Sequence, residues 1–225
     1  RAYCRELYCY DLFRRFGIWT AAYSSYCRLW IHVEGDSKAA YYGVYEMIEA
    51  IDDKHVKKRK ELFGDHNHNL WKCRWGASLN YNDRNNVSIH VDDDSGANYT
   101  YELKSNTENF AAAKTQLIEF TKNLTQRTGK DFHDWIASVC DVRLLLRTYA
   151  VNVVVGMWDD YWNNSNNFYI YFNSSDKDNY QFYFIPYDYD NTLGTSNHCG
   201  VQSDTGRQDP LHWGDTERNP LTGKI

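Results

Sequence analysis

The sequence predicts a fold of the α+β class. Segments whose apolar residues recur at helical spacing are separate from segments in which apolar and polar residues alternate, as they do in strands. The length of 225 residues suits one domain of moderate size, or a large lobe with a smaller lobe attached. Hydrophobic residues make up 42% and charged residues 24%, a composition that excludes a wholly disordered chain.

Charge and hydropathy narrow the classes of function. The formal net charge is −5, so the chain has no basic excess to match a nucleic-acid backbone. The longest apolar run, residues 151–158, is far shorter than the roughly 18–20 residues that span a bilayer. No CxxC pair and no Cys/His pair at zinc-finger spacing occurs, which argues against a structural zinc site. These patterns favour neither a nucleic-acid partner nor a membrane span.

The first predicted elements are a helix and a β-hairpin. Apolar residues from Tyr3 to Phe16 recur at helical spacing, and Gly17 provides a C-terminal stop. Residues 26–33 and 41–48 alternate in polarity and are joined by a polar turn, so we expect two paired strands.

A charged segment and a polar segment follow the hairpin. Residues 52–60 are predicted to present a solvated helix face, with a phosphate-binding basic patch as the alternative. From Gly64 to Gly96 the polar composition predicts loop and short strands. Lys72 is accordingly predicted to be an exposed loop lysine.

Two further helices are predicted in the middle of the chain. Ser105-Asn-Thr-Glu108 has the form of a capping box, and apolar residues follow it along one face as far as Leu124. Asp131 is the predicted cap of a second, long helix that continues to residue 155. Apolar residues surround the second half of this helix, so we expect it to be buried.

Carboxylates lie at both ends of a second predicted hairpin. Asp159 and Asp160 precede the strand 168–172, while Asp188 and Asp190 follow the strand 181–185. The outer ends of two strands of similar length meet, so these side chains should approach a common point. Carboxylate and amide oxygens suit Mg²⁺ or Mn²⁺ that bridges phosphates. The alternative is a pair of Asx-rich turns at the ends of an ordinary hairpin.

Several segments carry a resemblance to a known family. They are Arg5-Glu-Leu to Gly17, Tyr42-Gly-Val-Tyr-Glu to Asp52, Asp159-Asp-Tyr to Asn167, Ile185-Pro-Tyr-Asp-Tyr-Asp-Asn-Thr-Leu-Gly194, Asp209-Pro-Leu-His-Trp-Gly214 and Arg218-Asn-Pro-Leu221. Their order and content resemble the spore-coat protein H (CotH) kinase family, whose members are atypical secreted or coat-associated protein kinases. The matches span nearly the whole chain, although residues 60–130 are uninformative.

The resemblance implies an atypical protein-kinase-like fold for a CotH-kinase-like domain over residues 1–225. Residues 1–52 would form a partial small β-containing N-terminal lobe and the hinge, and residues 53–225 a helix-rich C-terminal lobe. The kinase pattern includes a Gly-rich phosphate loop and a small-lobe lysine before the first helix. Neither is found here, so we expect further small-lobe strands upstream.

The resemblance also implies roles for individual residues. Asp159 would be the catalytic residue, and Asn167, Asp188 and Asp190 the metal ligands. The usual kinase spacing instead points to Asn164 as the metal-binding asparagine, so the choice between Asn164 and Asn167 stays open. Three residues would serve nucleotide binding: Glu6 as partner of the phosphate-binding lysine, and Glu49 and Ile51 in the hinge that meets adenine.

The function implied is ATP-dependent phosphoryl transfer to Ser or Thr of exported or surface proteins, with ATP and Mg²⁺ or Mn²⁺ as cofactors. Its partners would be protein substrates, among them coat proteins, and its location secreted, cell-surface or coat-associated. The alternative is a non-catalytic extracellular binding or adhesion module with a structural metal site. The abundance of aromatic residues, with 19 Tyr, 8 Trp and 10 Phe, is compatible with that alternative.

Overall fold

The computed structural model describes residues 4–82, 89–91, 100–195, 209–213 and 219–225. Its strands are β1 Ser24–Ile31, β2 Ala40–Ile48, β3 Asn69–Cys73, β4 Ile89–Val91, β5 Tyr101–Leu103, β6 Phe168–Phe172 and β7 Phe182–Pro186. Its helices are α1 Arg5–Arg15, α2 Asp53–Lys58, α3 Lys60–Phe63, α4 Phe110–Gln126, α5 Gly129–Val139, α6 Val142–Val154, α7 Tyr161–Asn164 and α8 Pro220–Gly223. The α+β class is confirmed.

A five-stranded mixed sheet lies at the centre of the fold. The strand order is β4-β5-β3-β6-β7, with β4 and β5 parallel and the other neighbours antiparallel. One face packs against α4 and α5 through residues such as Trp71 and Phe120, and the other against α1 through Tyr171 and Phe13. Because both faces are covered, β6 is a continuous apolar strand rather than an alternating one.

The hairpin of β1 and β2 forms a separate two-stranded sheet, as the alternating pattern predicted, with β1 starting two residues earlier than expected. Many of its large apolar side chains are exposed: Tyr26, Trp30, Ile31, Tyr41, Tyr42, Val44, Tyr45 and Met47. Packing within the hairpin therefore contributes little to the core, and its position depends on contacts at its base.

A buried ion pair secures the base of this hairpin. Arg59, 5% exposed, donates to the Glu49 carboxylate at 2.7 Å and to the backbone oxygens of Trp19 and Ala21. His55 Nδ1 lies 3.3 Å from the same carboxylate. Burial opposes ionisation of Glu49, but the hydrogen bonds from His55 and Arg59 outweigh it and hold the pKa well below its usual range. This Glu49–Arg59 clasp joins β2, the segment before β1 and α2.

The long helix predicted over 131–155 is wrong, because the structure has two helices there. α5 ends at Val139 and α6 begins at Val142, where the Asp141 carboxylate accepts a hydrogen bond from the Leu144 amide at 3.0 Å. An N-cap of this kind competes with helix continuation. The buried second half of the prediction corresponds to α6.

The predicted capping box at Ser105 is also wrong. The Ser105 hydroxyl donates to the His68 backbone oxygen and accepts from the Leu70 amide at 3.1 Å, so it fastens the chain to β3. A 3₁₀ turn over Thr107–Asn109 then leads into α4.

Lys72 is misplaced by the sequence prediction. It lies in β3, the middle strand of the sheet, and its side chain is half-buried rather than exposed in a loop. The sequence signal was weak because β3 has only five residues and follows a run of polar ones.

None of the helices in the described ranges combines the length and the hydropathy that a membrane span requires.

We expect Glu49→Ala to lower the free energy of unfolding by about 3–5 kcal/mol, because Arg59 would remain buried without its carboxylate. Urea denaturation at pH 7 measures the change. Glu61→Ala is the control: that side chain is 87% exposed and its partner Lys60 lies 3.7 Å away, so the loss should stay within about 0.5 kcal/mol.

The same variant has a predictable pH dependence. A carboxylate whose pKa is lowered by folding stabilises the protein above its ordinary pKa of 4.5, and this contribution is lost as the pH falls further. The stability difference between wild type and Glu49→Ala should therefore shrink below about pH 4. A difference that stays constant from pH 7 to pH 3 would contradict a charge-based role.

Candidate active site

Asp159, between α6 and α7, is surrounded by asparagine side chains. Its Oδ1 accepts from the amide nitrogens of Asn164 at 2.6 Å and Asn166 at 3.1 Å. Its Oδ2 accepts from those of Asn167 at 3.0 Å and Asn191 at 3.4 Å. Asn164 and Asn167, the two candidates for the metal-binding asparagine, therefore both donate to the Asp159 carboxylate. The four donors fix the orientation of Asp159 at the surface of the fold.

The next residue, Asp160, is buried and anchors this loop. Its Oδ1 accepts from the Asn163 amide at 2.9 Å, which caps α7, and its Oδ2 accepts from the Asn152 side chain at 2.8 Å. The Asn152 oxygen in turn accepts from the Tyr189 hydroxyl. Burial raises the pKa of Asp160 to about 6, and the hydrogen bonds from Asn163 and Asn152 limit the rise. This Asp160–Asn152–Tyr189 chain joins α6, the Asp159 loop and the segment after β7.

Asp188 and Asp190 lie in that segment, which leaves β7 at the end of the hairpin where β6 begins, the same end as Asp159. The backbone at Asp188 is left-handed, with φ of +60°, so the segment is not a simple extension of β7. The charges nevertheless interact. Burial raises the pKa of Asp188 to about 6, with repulsion from Asp190 and then Asp159 adding to it, while Lys72 opposes the rise. Asp159, Asp188 and Asp190 thus belong to one acidic cluster, as the hairpin argument predicted.

Helix α1 brings Glu6 to the same cluster. The Glu6 Oε1 accepts from the Tyr189 amide at 3.2 Å, and the Tyr10 hydroxyl accepts from the Asp188 amide at 3.2 Å. Burial raises the pKa of Glu6 to about 7, and repulsion from Asp188 adds to the effect. Within the described ranges no Lys or Arg forms an ion pair with Glu6, so its predicted partnership with a lysine stays a prediction.

The structure gives the predicted hinge residues other contacts. The Glu49 carboxylate is part of the Glu49–Arg59 clasp, and its amide donates to the Tyr23 oxygen at 2.8 Å. Ile51 is 4% exposed and packs in the core cluster that includes Tyr189. Any contact of these two residues with a nucleotide is therefore limited to the remaining backbone groups, and their nucleotide-binding role stays a prediction.

Two cavities in the described part of the chain lie away from the acidic cluster. One of about 700 Å³ lies between α1 and the start of β1, and one of about 490 Å³ lies beside Glu49, Ala50 and Asp52. Neither is lined by Asp159 or Asp188. We identify the candidate site by its chemistry instead, since groups with shifted pKa values cluster at functional sites.

The cluster contains hard oxygen ligands of the kind that divalent cations prefer. No group of three or more His, Cys, Asp or Glu side chains in the described part of the chain forms a ready metal site. However, Asn167 uses its amide nitrogen on Asp159, and no described residue bonds its amide oxygen. This oxygen and the carboxylates of Asp188 and Asp190 are hard ligands of the kind that Mg²⁺ and Mn²⁺ prefer. A cation would also relieve the repulsion that raises the pKa of Asp188.

Sequence reasoning missed several members of the site. Asn166 and Asn191 lie within segments already singled out, so their neighbours were the available signal. Asn152 carries no such signal, because it lies inside a mostly apolar helix. Lys72, which the sequence placed in a loop, has its ammonium 5.1 Å from the centre of the Tyr187 ring, beside Asp188.

Comparison with known proteins gives one family. A family model described as CotH kinase protein matches residues 1–225, the whole chain. No curated protein matches the chain. Of the segments that carry the resemblance, Asp209–Gly214 and Arg218–Leu221 extend outside the described residues.

We expect Asn152→Ala to lower the free energy of unfolding by about 2–4 kcal/mol, because Asp160 and Tyr189 would each lose a buried partner. The loss should be larger at pH 8 than at pH 5, since a carboxylate with a raised pKa is charged only at the higher pH.

Thermal and urea denaturation at both pH values measure these changes. Asn123→Ala is the matched control, because Asn123 is a half-buried helical asparagine whose partners keep access to water. Its loss should remain below about 1 kcal/mol. Equal losses for the two variants would contradict the anchoring role of Asn152.

Proposed function

This chain belongs to the CotH kinase family, and on that premise we propose that it transfers the γ-phosphoryl group of ATP to Ser or Thr of exported or coat proteins. One observation supports the proposal above all. Asp159 is held by four asparagine amides, and its charge interacts with that of Asp188 in the segment after β7. Phosphoryl transfer needs an oriented base beside a metal–phosphate site, and this cluster offers both kinds of group.

Asp159 orients the substrate hydroxyl and accepts its proton. A carboxylate has about four lone-pair sites, and asparagine amides use all four here. The contact from Asn191 is the longest, at 3.4 Å, so a substrate hydroxyl replaces it at the lowest cost. The remaining three donors keep the carboxylate in place while the hydroxyl approaches.

Asn167, Asp188 and Asp190 hold Mg²⁺ or Mn²⁺, with Asn164 as the alternative amide ligand. The bound ion supplies positive charge to the phosphates of the nucleotide. The amide oxygen of Asn167, which no described residue bonds, and the raised pKa of Asp188 support this assignment, because a ligand of positive charge would explain both.

A kinase-like division of the chain accompanies this function. Residues 1–52 form the small-lobe part and hinge, and residues 53–225 form the C-terminal lobe. Adenine is bound by the free backbone groups between Glu49 and Asp52. Support comes from α1, which reaches the Asp188 segment through Glu6 and Tyr10, as the small-lobe helix of a kinase reaches its metal-binding segment.

Asp159→Asn should keep Mn²⁺·ATP binding while phosphoryl transfer to casein falls by roughly 10²–10⁴-fold, because shape is retained and the proton acceptor is lost. That loss corresponds to about 3–5 kcal/mol of barrier. Asp131→Asn, an exposed carboxylate paired with Arg127, is the control and should transfer at the wild-type rate. The proposal fails if the wild type transfers no phosphate, or if Asp159→Asn transfers at the wild-type rate.

Asp188→Asn should abolish the thermal stabilisation by Mn²⁺·ATP. The affinity for Mn²⁺·ATP should fall at least about tenfold, which corresponds to about 1.4 kcal/mol of binding free energy. Asparagine tolerates the left-handed backbone at this position, and removing a repelled carboxylate should not lower the melting temperature of the ligand-free protein. Asp178→Asn, at an exposed position, is the control.

The same measurement tests the alternative function. Stabilisation of the wild type by Ca²⁺ alone, with no further effect of ATP and Mn²⁺, is the result expected of a non-catalytic binding module with a structural metal. A large loss of melting temperature in Asp188→Asn without ligand would assign Asp188 a structural role instead.

A further inference from the structure

Lys72 is a half-buried lysine that forms no ion pair in the described part of the chain, although Glu102 and Asp188 act on its pKa from a distance. Glu102, the cross-strand partner of Lys72, is already paired with Arg74 at 2.5 Å and with Lys104 at 3.1 Å. The Lys72 ammonium forms no ion pair or hydrogen bond with any described residue. Partial burial of a cation without an ion-pair partner lowers the stability of the fold unless an anionic ligand binds to it.

The sheet register places the Lys72 ammonium close to the segments that carry the candidate active site. Lys72 pairs with Tyr169 across β3 and β6, and the Tyr187 ring lies 5.1 Å from the Tyr169 ring. Tyr169 follows Asn167 by two residues, and Tyr187 directly precedes Asp188. The ammonium therefore lies near one residue from each of the two segments that supply the proposed amide and carboxylate ligands.

Two aromatic rings hold the ammonium without using its hydrogens. Its Nζ lies 5.1 Å from the Tyr187 ring centre and 5.9 Å from that of Tyr169, both within cation–π range. The attraction between the ammonium and a ring face is electrostatic and uses none of the three N–H donors of lysine. These donors can therefore form hydrogen bonds with an anion. Burial lowers the pKa of Lys72, and an arriving anion would counter that effect.

We propose that Lys72 binds the γ-phosphoryl group of the nucleotide during its transfer. The inference rests on the proposed kinase function. The γ-phosphorus bond to the β–γ bridging oxygen breaks, a bond to the substrate hydroxyl oxygen forms, and the hydroxyl proton passes to Asp159 while ADP leaves. Lys72 keeps its own proton throughout and contributes charge and hydrogen bonds.

Its position in the chain distinguishes Lys72 from the phosphate-binding lysine that the resemblance implies. It comes from the central sheet after the hinge, and not from a strand before α1, where the resemblance places a phosphate-binding lysine. The γ-phosphoryl group is the favoured anion because Asp188, the neighbour of Tyr187, is the proposed ligand of the phosphate-bridging metal.

The test compares Lys72→Met with Lys104→Met, which removes an equal charge from the same sheet at Glu102. We expect kcat of Lys72→Met to fall about 10²–10³-fold with the KM for casein unchanged. Lys104→Met should stay within about threefold of wild type, and Lys72→Arg should recover part of the activity because it restores the charge. Melting temperatures of the two Met variants show whether either effect is only structural.

Calorimetric titration with Mn²⁺·ATP and Mn²⁺·AMP separates this inference from the function on which it rests. Lys72→Met should weaken binding of ATP about tenfold and leave that of AMP unchanged, because only ATP carries the γ-phosphoryl group. Equal ATP affinity in both proteins, or full transfer activity in Lys72→Met, would overturn the role of Lys72 while leaving the kinase function intact.

Two results would count against the kinase function itself. A wild type that binds ATP without transferring phosphate would overturn the kinase proposal, and the ATP titration would still decide whether Lys72 contacts the γ-phosphoryl group. A wild type that binds no nucleotide would overturn both proposals.

Discussion

The candidate site depends on the buried Asp160–Asn152–Tyr189 chain. Its three members are almost completely removed from water, so none can exchange its partner for solvent, and the geometry of all three is fixed together. Each end of the chain adjoins a residue with a proposed role: Asp160 follows Asp159, the proposed catalytic residue, and Tyr189 follows Asp188, a proposed metal ligand. In each pair the buried residue holds the position of its neighbour.

Strain and like-charge repulsion are concentrated at this site, whereas stability resides elsewhere. Asn167 and Asp188 both adopt left-handed backbone conformations, with φ of +55° and +60°. Burial and mutual repulsion raise the pKa values of Glu6 and Asp188. The doubly covered sheet and the Glu49–Arg59 clasp provide the compensating stability, and a bound cation with phosphates would offset the repulsion directly.

Chain geometry was enough to predict that Asp159 and Asp188 lie near each other, whereas the side-chain partners that come from distant segments could not be predicted. Placing Asp159 and Asp188 together required only that the ends of a hairpin meet. The choice between Asn164 and Asn167 could not be made, because both side chains converge on one carboxylate. The hinge role that the resemblance implies for Glu49 stays a prediction, while the contact of its carboxylate with Arg59 is one that no local pattern reveals.

The sequence by itself determined the α+β class, the first helix and hairpin, the strands around residues 168–186 and the grouping of the aspartates. These features follow from periodicity and connectivity, which are local. Only the tertiary structure decided that Lys72 lies in the central strand, that residues 129–154 form two helices, and that Asn152 supports the site. Those outcomes depend on which distant groups satisfy a buried charge or hydrogen bond, and that information is not local to any segment.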